Sequence, residues 1–225
     1  MKWISAAFTA VVSVLACSPG EPQTAFADSG PPKTAAVQAA RPAGAAALRL
    51  VLSPTGNTAR YRVRERLLGH DLENDAVGET KKLSGAIEFD SKGNVIPQSS
   101  KFVVDAGTFV SDKDRRDGFV RGRLLDAQQY PDIVLVPTAV RGVGLPLPTS
   151  GTVPIQMTGD LTVHGVTRST IWTGSAQFQD GRVKGSAATA FTFTDIQMEQ
   201  PRVPVLLSVA DTIRLEIDFD LIRQR

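Results

Sequence analysis

Only one of the 225 residues is cysteine, and only two are histidine. Cys17 therefore has no partner for an intrachain disulfide. Neither His70 nor His164 has a Cys, His, Asp or Glu at metal-ligand spacing, so no structural or catalytic zinc pattern is present. A nucleophilic enzyme needs a Ser or Cys beside a His that an acid orients. The chain has no G-x-S-x-G segment, and Cys17 stands far from both histidines. Gly142-Val-Gly144 lacks the third glycine and the following helix of a dinucleotide site. A formal charge of +2, with basic residues interspersed among acidic ones, makes no electrostatic case for nucleic acid. No run is long and apolar enough to span a membrane as a helix. These absences argue against an enzyme, a metal site and a cofactor.

What is present starts with the first residues. Met1-Lys2 gives a short positive end, and Trp3 to Ala16 is apolar except for Ser5, Thr9 and Ser13. That length suits the apolar region of a signal peptide. It ends in Val14-Leu15-Ala16-Cys17, which resembles a bacterial lipobox, and a lipidated cysteine accounts for a lone thiol in an oxidising compartment. Cleavage after Ala25-Phe26-Ala27 is the other reading. Residues 1–17 are thus expected to be a signal peptide with lipobox. Residues 18–46, rich in Ala, Pro, Gly, Ser and Thr, read as a flexible tether. Residues 47–225 read as the folded domain, in the periplasm and held at the membrane surface by acyl chains on Cys17.

Beyond the tether the apolar pattern has a period of two. Ile213-Arg-Leu215-Glu-Ile217-Asp-Phe219-Asp-Leu221 places apolar residues at odd positions and charges between them. A pleated strand puts alternate side chains on opposite faces, so this segment has one buried and one wet face. Tyr61–Val63, Ile87–Phe89, Met157–His164 and Phe191–Thr194 repeat the alternation; Trp172, Ala176 and Phe178 share another face. Apolar runs at Phe102–Val104 and Ile133–Val136 complete the set. Asp90–Asn94, Gly142–Gly151 and the hairpin dipeptide Asp180-Gly181 separate them. About eight alternating strands predict an all-β, antiparallel barrel or sandwich. One short helix is expected within Asp114–Gln129.

Two segments carry a family resemblance. Gly159-Asp-Leu161-Thr-Val163-His164-Gly165-Val-Thr-Arg168 resembles a strand–turn of YceI-like proteins. Arg116-Asp117, followed by Leu125-Asp-Ala and Tyr130-Pro131-x-Ile133-x-Leu135, resembles a second segment of that family, with leucine at 125 and 135 where phenylalanine is usual. The resemblance covers roughly Thr58 to Ile222. It implies an extended, lipocalin-like antiparallel β-barrel in the periplasm, with an apolar interior for a long-chain polyisoprenoid or similar lipid. One segment departs from the family pattern: Thr194–Pro204 carries two prolines and lacks a usual glycine, so a reshaped loop is expected at the barrel mouth.

The residues expected to face the interior, as core or as cavity wall, are Phe102, Val104, Ile133, Leu135, Leu161, Val163, Trp172, Phe178, Phe191, Phe193, Leu215, Ile217 and Phe219. Ligand pockets are lined mainly by such side chains with few polar groups. Arg116, Arg121 and His70 are the candidates for a polar rim. Arg116-Asp117 reads equally as a buried structural bridge, and His164 as an ordinary residue on the wet face at a strand end. The alternative to a hollow barrel is a solid-cored lipoprotein that binds a partner and no small ligand.

Overall fold

The structure, a computed structural model, describes residues 46–69 and 72–224. The signal and tether readings up to residue 45, including Cys17, and the rim candidate His70 lie outside the described residues.

Alternation becomes strand at each expected segment, except that His164, Phe193 and Thr194 fall in the turns after Val163 and Thr192. The strands are β1 (Leu48–Leu52), β2 (Thr58–Leu67), β3 (Asn74–Thr80), β4 (Leu83–Phe89), β5 (Lys101–Asp105) and β6 (Val110–Ser111). They continue with β7 (Asp132–Arg141), β8 (Ser150–Val163), β9 (Val166–Gln179), β10 (Arg182–Thr192) and β11 (Leu206–Gln224). Every pairing is antiparallel. The order β1-β4-β5-β7-β8-β9-β10-β11 closes through β11–β1, which makes a ring of eight strands and excludes the sandwich.

The number of strands exceeds eight because three ring members are interrupted. The end of β11 pairs with β1 (Leu52↔Leu221), and its earlier part pairs with β2 (Thr58↔Asp218, Leu67↔Leu206). β1 and β2 are thus one broken strand along one edge. The break is held by the buried Asn57, whose Nδ2 donates to the Ser53 carbonyl at 2.6 Å and whose Oδ1 accepts from Asp220 N–H at 2.8 Å. In the same way β3 extends β4, and β6 extends β5 through its pairing with β3.

Two tight hairpins explain the register of the long strands. Val163 pairs with Val166 across His164 and Gly165, both at positive φ (50° and 76°). Gln179 pairs with Arg182 across Asp180 and Gly181 (49° and 78°). Two consecutive left-handed residues match the twist of the flanking strands. His164 is therefore a turn residue and not a strand end; its ring lies 4.6 Å from that of Tyr130.

The one short helix falls within the expected Asp114–Gln129. α1 (Asp114–Phe119) runs into a π-helical turn at Val120–Leu124 and stops, because Asp126 takes a positive φ of 44° and accepts from the N–H groups of Gln129 and Tyr130.

The barrel has two unlike ends. The β4–β5, β7–β8 and β9–β10 connections lie at one end with the start of β1 and the finish of β11, here called the floor. The β2–β3 connection, the helical segment, the His164 turn and the β10–β11 loop lie at the other, the mouth.

Candidate functional site

The mouth half of the barrel contains a cavity of about 720 Å³. Most of its wall comes from four sources. β2 supplies Tyr61, Val63 and Leu67; β11 supplies Val209, Ile213 and Leu215. The helical segment supplies Phe119, Val120 and Leu124, and the loop before β11 supplies Ile196, Met198 and Val203. The reshaped Thr194–Pro204 segment is thus a piece of the wall. It opens with a 3-10 turn, Thr194–Ile196, and reverses at Gln197 (φ 55°).

The interior residues expected from the sequence belong to the apolar core or pack against it, and they divide by height. Ile133, Val163, Phe191, Phe193 and Leu215 line the cavity. Phe193 does so from the turn after β10 and not from a strand. Phe102, Val104, Leu135, Leu161, Trp172 and Ile217 surround a void of only about 50 Å³ nearer the floor, as do Ile133 and Leu215. Phe178 and Phe219 line neither space and belong to the packed floor. Phe178 is 3% exposed, and the Phe219 ring lies over Gly185, where a Cβ would approach its Cζ to 2.6 Å. The Trp172 indole N–H is satisfied by Thr170 Oγ1 at 2.9 Å, which lets a large ring sit in an apolar layer.

The two least exposed charged groups at the cavity, Arg116 and Glu65, are already engaged with each other. Arg116 lines it, yet its Nη2 donates to Glu65 Oε1 at 2.7 Å and its Nη1 to Asp112. Both members of the Arg116–Glu65 pair are mostly buried, with side chains 14% and 7% exposed. Asp117 does not pair with Arg116: it accepts from Ser111 N–H at 2.8 Å and Ser111 Oγ at 2.6 Å. The Arg116-Asp117 segment therefore pins α1 to β2 and β6, as a structural bridge of a kind the sequence left open. Arg121 is not at the rim. It is absent from the lining, and its guanidinium donates to the Phe109 carbonyl at 3.3 Å behind the wall. Lys113 and Arg115 are the cavity's exposed cations.

Burial pushes the Tyr61 hydroxyl up to about 12, so the phenol beside the cavity stays protonated well into the alkaline range. Asp195, in the turn over Phe191, is held down to about 2 by the Thr192 N–H first and by Arg168 next. Arg168 meets it at 2.7 Å and lies 5.5 Å from the centre of the Phe191 ring. That ion pair fastens the loop to β9.

The mouth itself is apolar. Leu68 and Leu72 from the β2–β3 connection, with Val205 and Leu207 from the loop and the start of β11, are exposed by 63, 81, 57 and 54%. Leu68 N–H donates to the Val205 carbonyl at 2.9 Å, joining the two segments. No cluster of three metal ligands is present among the described residues.

Comparison with known proteins agrees with this architecture. A UPF0312 protein of Vibrio parahaemolyticus is 31% identical over 134 residues, 59% of this chain and 65% of its own, so the match spans just under two thirds of that relative. A UPF0312 protein of Pseudomonas putida is 26% identical over 157 residues, 66% of this chain and 74% of its own. Among solved structures, a polyisoprenoid binding domain from Saccharophagus degradans superposes with a TM-score of 0.59 at 14% identity, covering 80% of this chain and all of that one. Burkholderia cenocepacia BcnA gives 0.54 at 14% identity, with 75% and 98% covered. The Campylobacter jejuni YCEI protein gives 0.52 at 17%, with 70% and 90% covered. These likenesses show a shared fold. The YceI-like domain model matches residues 51–221, all eight ring members included, and this chain belongs to the YceI-like family.

Proposed function

We propose that the protein binds one apolar molecule, a polyisoprenoid or another lipid, in the mouth-half cavity, to store, sequester or shuttle it. The observation that carries this reading is a cavity of about 720 Å³ whose wall is almost wholly apolar and whose one buried cation is neutralised in place. The volume falls within the roughly 300–1,000 Å³ of small-molecule sites. Burial of apolar surface contributes about 25 cal/mol per Å², so an apolar chain needs no polar partner to be held. Ile133, Val163, Phe191, Phe193 and Leu215 are the contacts proposed from the sequence set; Arg116 shapes the wall and needs no anionic head group. The polyisoprenoid-binding neighbour supports the ligand class. The proposal assigns the protein no catalytic step.

Native mass spectrometry of protein purified from cells tests the reading. The expected result is a co-purifying lipid, or thermal stabilisation by added prenols after delipidation. Neither bound lipid nor stabilisation would overturn it, and a solid-cored interaction protein would take its place.

The proposed location is the periplasm, with the chain anchored through Cys17. Cys17→Ala should move the protein from the membrane fraction to the soluble fraction. A mature N-terminus at Asp28, unaffected by that change, would establish cleavage after Ala27 instead.

A further inference from the structure

Three side chains, Phe109, Ile133 and Leu215, line both the 720 Å³ cavity and the 50 Å³ void nearer the floor. They are the partition between the two spaces. Resting on the binding function proposed above, we infer that this partition, and Phe109 above all, sets the length of apolar chain the protein accepts.

Phe109 is not a ladder residue. It stands between a 3-10 turn, Ala106–Thr108, and β6, at the interruption of one ring strand, and it is 5% exposed. Its backbone is tied down on both sides. Asp105 accepts from Gly107 N–H at 2.9 Å and from the Thr108 hydroxyl, through its carbonyl, at 2.8 Å; Arg121 holds the Phe109 carbonyl. The ring packs against Tyr61, with centroids 5.6 Å apart at 53°. Tyr61 in turn lies over Gly78, where any side chain would collide with its ring. A chain entering from the mouth therefore meets a side chain whose backbone and ring are both braced. Beyond it lie Trp172, Phe102 and Leu161, which leave no room for a tail.

The volume bounds the length. At roughly the 30 Å³ that a water-sized group takes up in a liquid, a cavity of about 720 Å³ holds on the order of 24 carbons, between four and five isoprene units. Longer chains must leave the excess at the mouth, against Leu68 and Val205. Removing the Phe109 ring would join the void to the cavity and add the space of the ring carbons, room for about one more five-carbon unit at the same volume per carbon.

The test is a chain-length series. Linear prenols of two to nine isoprene units displace N-phenyl-1-naphthylamine from the purified, delipidated protein, and their affinities are compared. The wild type should gain affinity with each unit up to four or five and then level off. Phe109→Ala should move the plateau at least one unit longer, Phe109→Trp one unit shorter, and Ile171→Val, at an exposed position on β9 that lines neither space, should leave it unchanged. Phe109→Leu, a smaller disturbance to folding, should move it the same way as Phe109→Ala but less. An unmoved plateau in folded Phe109→Ala and Phe109→Leu protein overturns the ruler while leaving lipid binding intact. A wild type that keeps gaining to nine units does the same. If no prenol of any length displaces the probe, the binding function falls and the ruler with it.

Discussion

The floor and the mouth of this barrel are made from the same strands and the same alternation, yet one is solid and the other holds a cavity. At the floor β10 and β11 pair residue by residue, and the Phe219 ring fills the space over Gly185. At the mouth three ring strands are broken, and the chain from β6 to β7 passes through α1 and the π-helical turn and is not paired across. Helix and loop residues then form much of the wall, and the cavity lies where the ladder is interrupted.

That contrast can be broken by substitution. Phe178→Ala, at the floor, should cost about 3–5 kcal/mol by urea unfolding, the range for a large aromatic removed from a packed core, with prenol affinity of the folded protein unchanged. Comparable loss of prenol affinity would mean that the floor is part of the site. Paired small-to-large changes sharpen the comparison. Ala187→Phe, into the packed floor, should cost about 1–3 kcal/mol, whereas Ala76→Phe, into the cavity wall, should cost under about 1 kcal/mol because vacant volume is available. Ala76→Phe should also weaken prenol binding at least tenfold, and Ala187→Phe should not; equal penalties in both assays would erase the distinction between the halves.

A smaller effect concerns pH. Tyr61 is raised to about 12 from an unfolded value near 10, so its contribution is complete below pH 10 and is lost as pH rises towards 12. Tyr61→Phe should flatten the stability–pH curve in that window, as read by chemical denaturation. An unchanged slope would mean that the ring is more hydrated than its place in the wall implies. Smallest of all, Leu68→Ser at the mouth should leave stability within about 0.5 kcal/mol, as exposed positions do. Its effect belongs to the rate at which prenols enter and leave, measurable by stopped-flow fluorescence.

The ring strands were legible because one face is buried and one is wet, and Ile213–Leu221 writes that difference into every second residue. β3 was not: Asn74–Thr80 is short and polar, with Gly78 where an apolar residue would have marked its inward face. The site was legible only in part. Alternation tells which face a side chain takes but not its height along the barrel, so Phe191 at the cavity and Phe178 in the floor look alike in sequence. Arg116 could be singled out, but its partner Glu65 lies 51 residues earlier and is brought near only by closure. Phe109, Met198 and Val203 sit outside any periodic stretch, and contacts between turns have no sequence rhythm to reveal them. For Arg121 the residue type suggested a rim, and the fold used its guanidinium to hold a backbone carbonyl.

The first and last described strands finish side by side, Arg49 opposite Gln224, at the end remote from the opening. A fluorophore or a linker attached close to Arg49 or to Gln224 would therefore stand at the end away from the entrance and leave the aperture unobstructed.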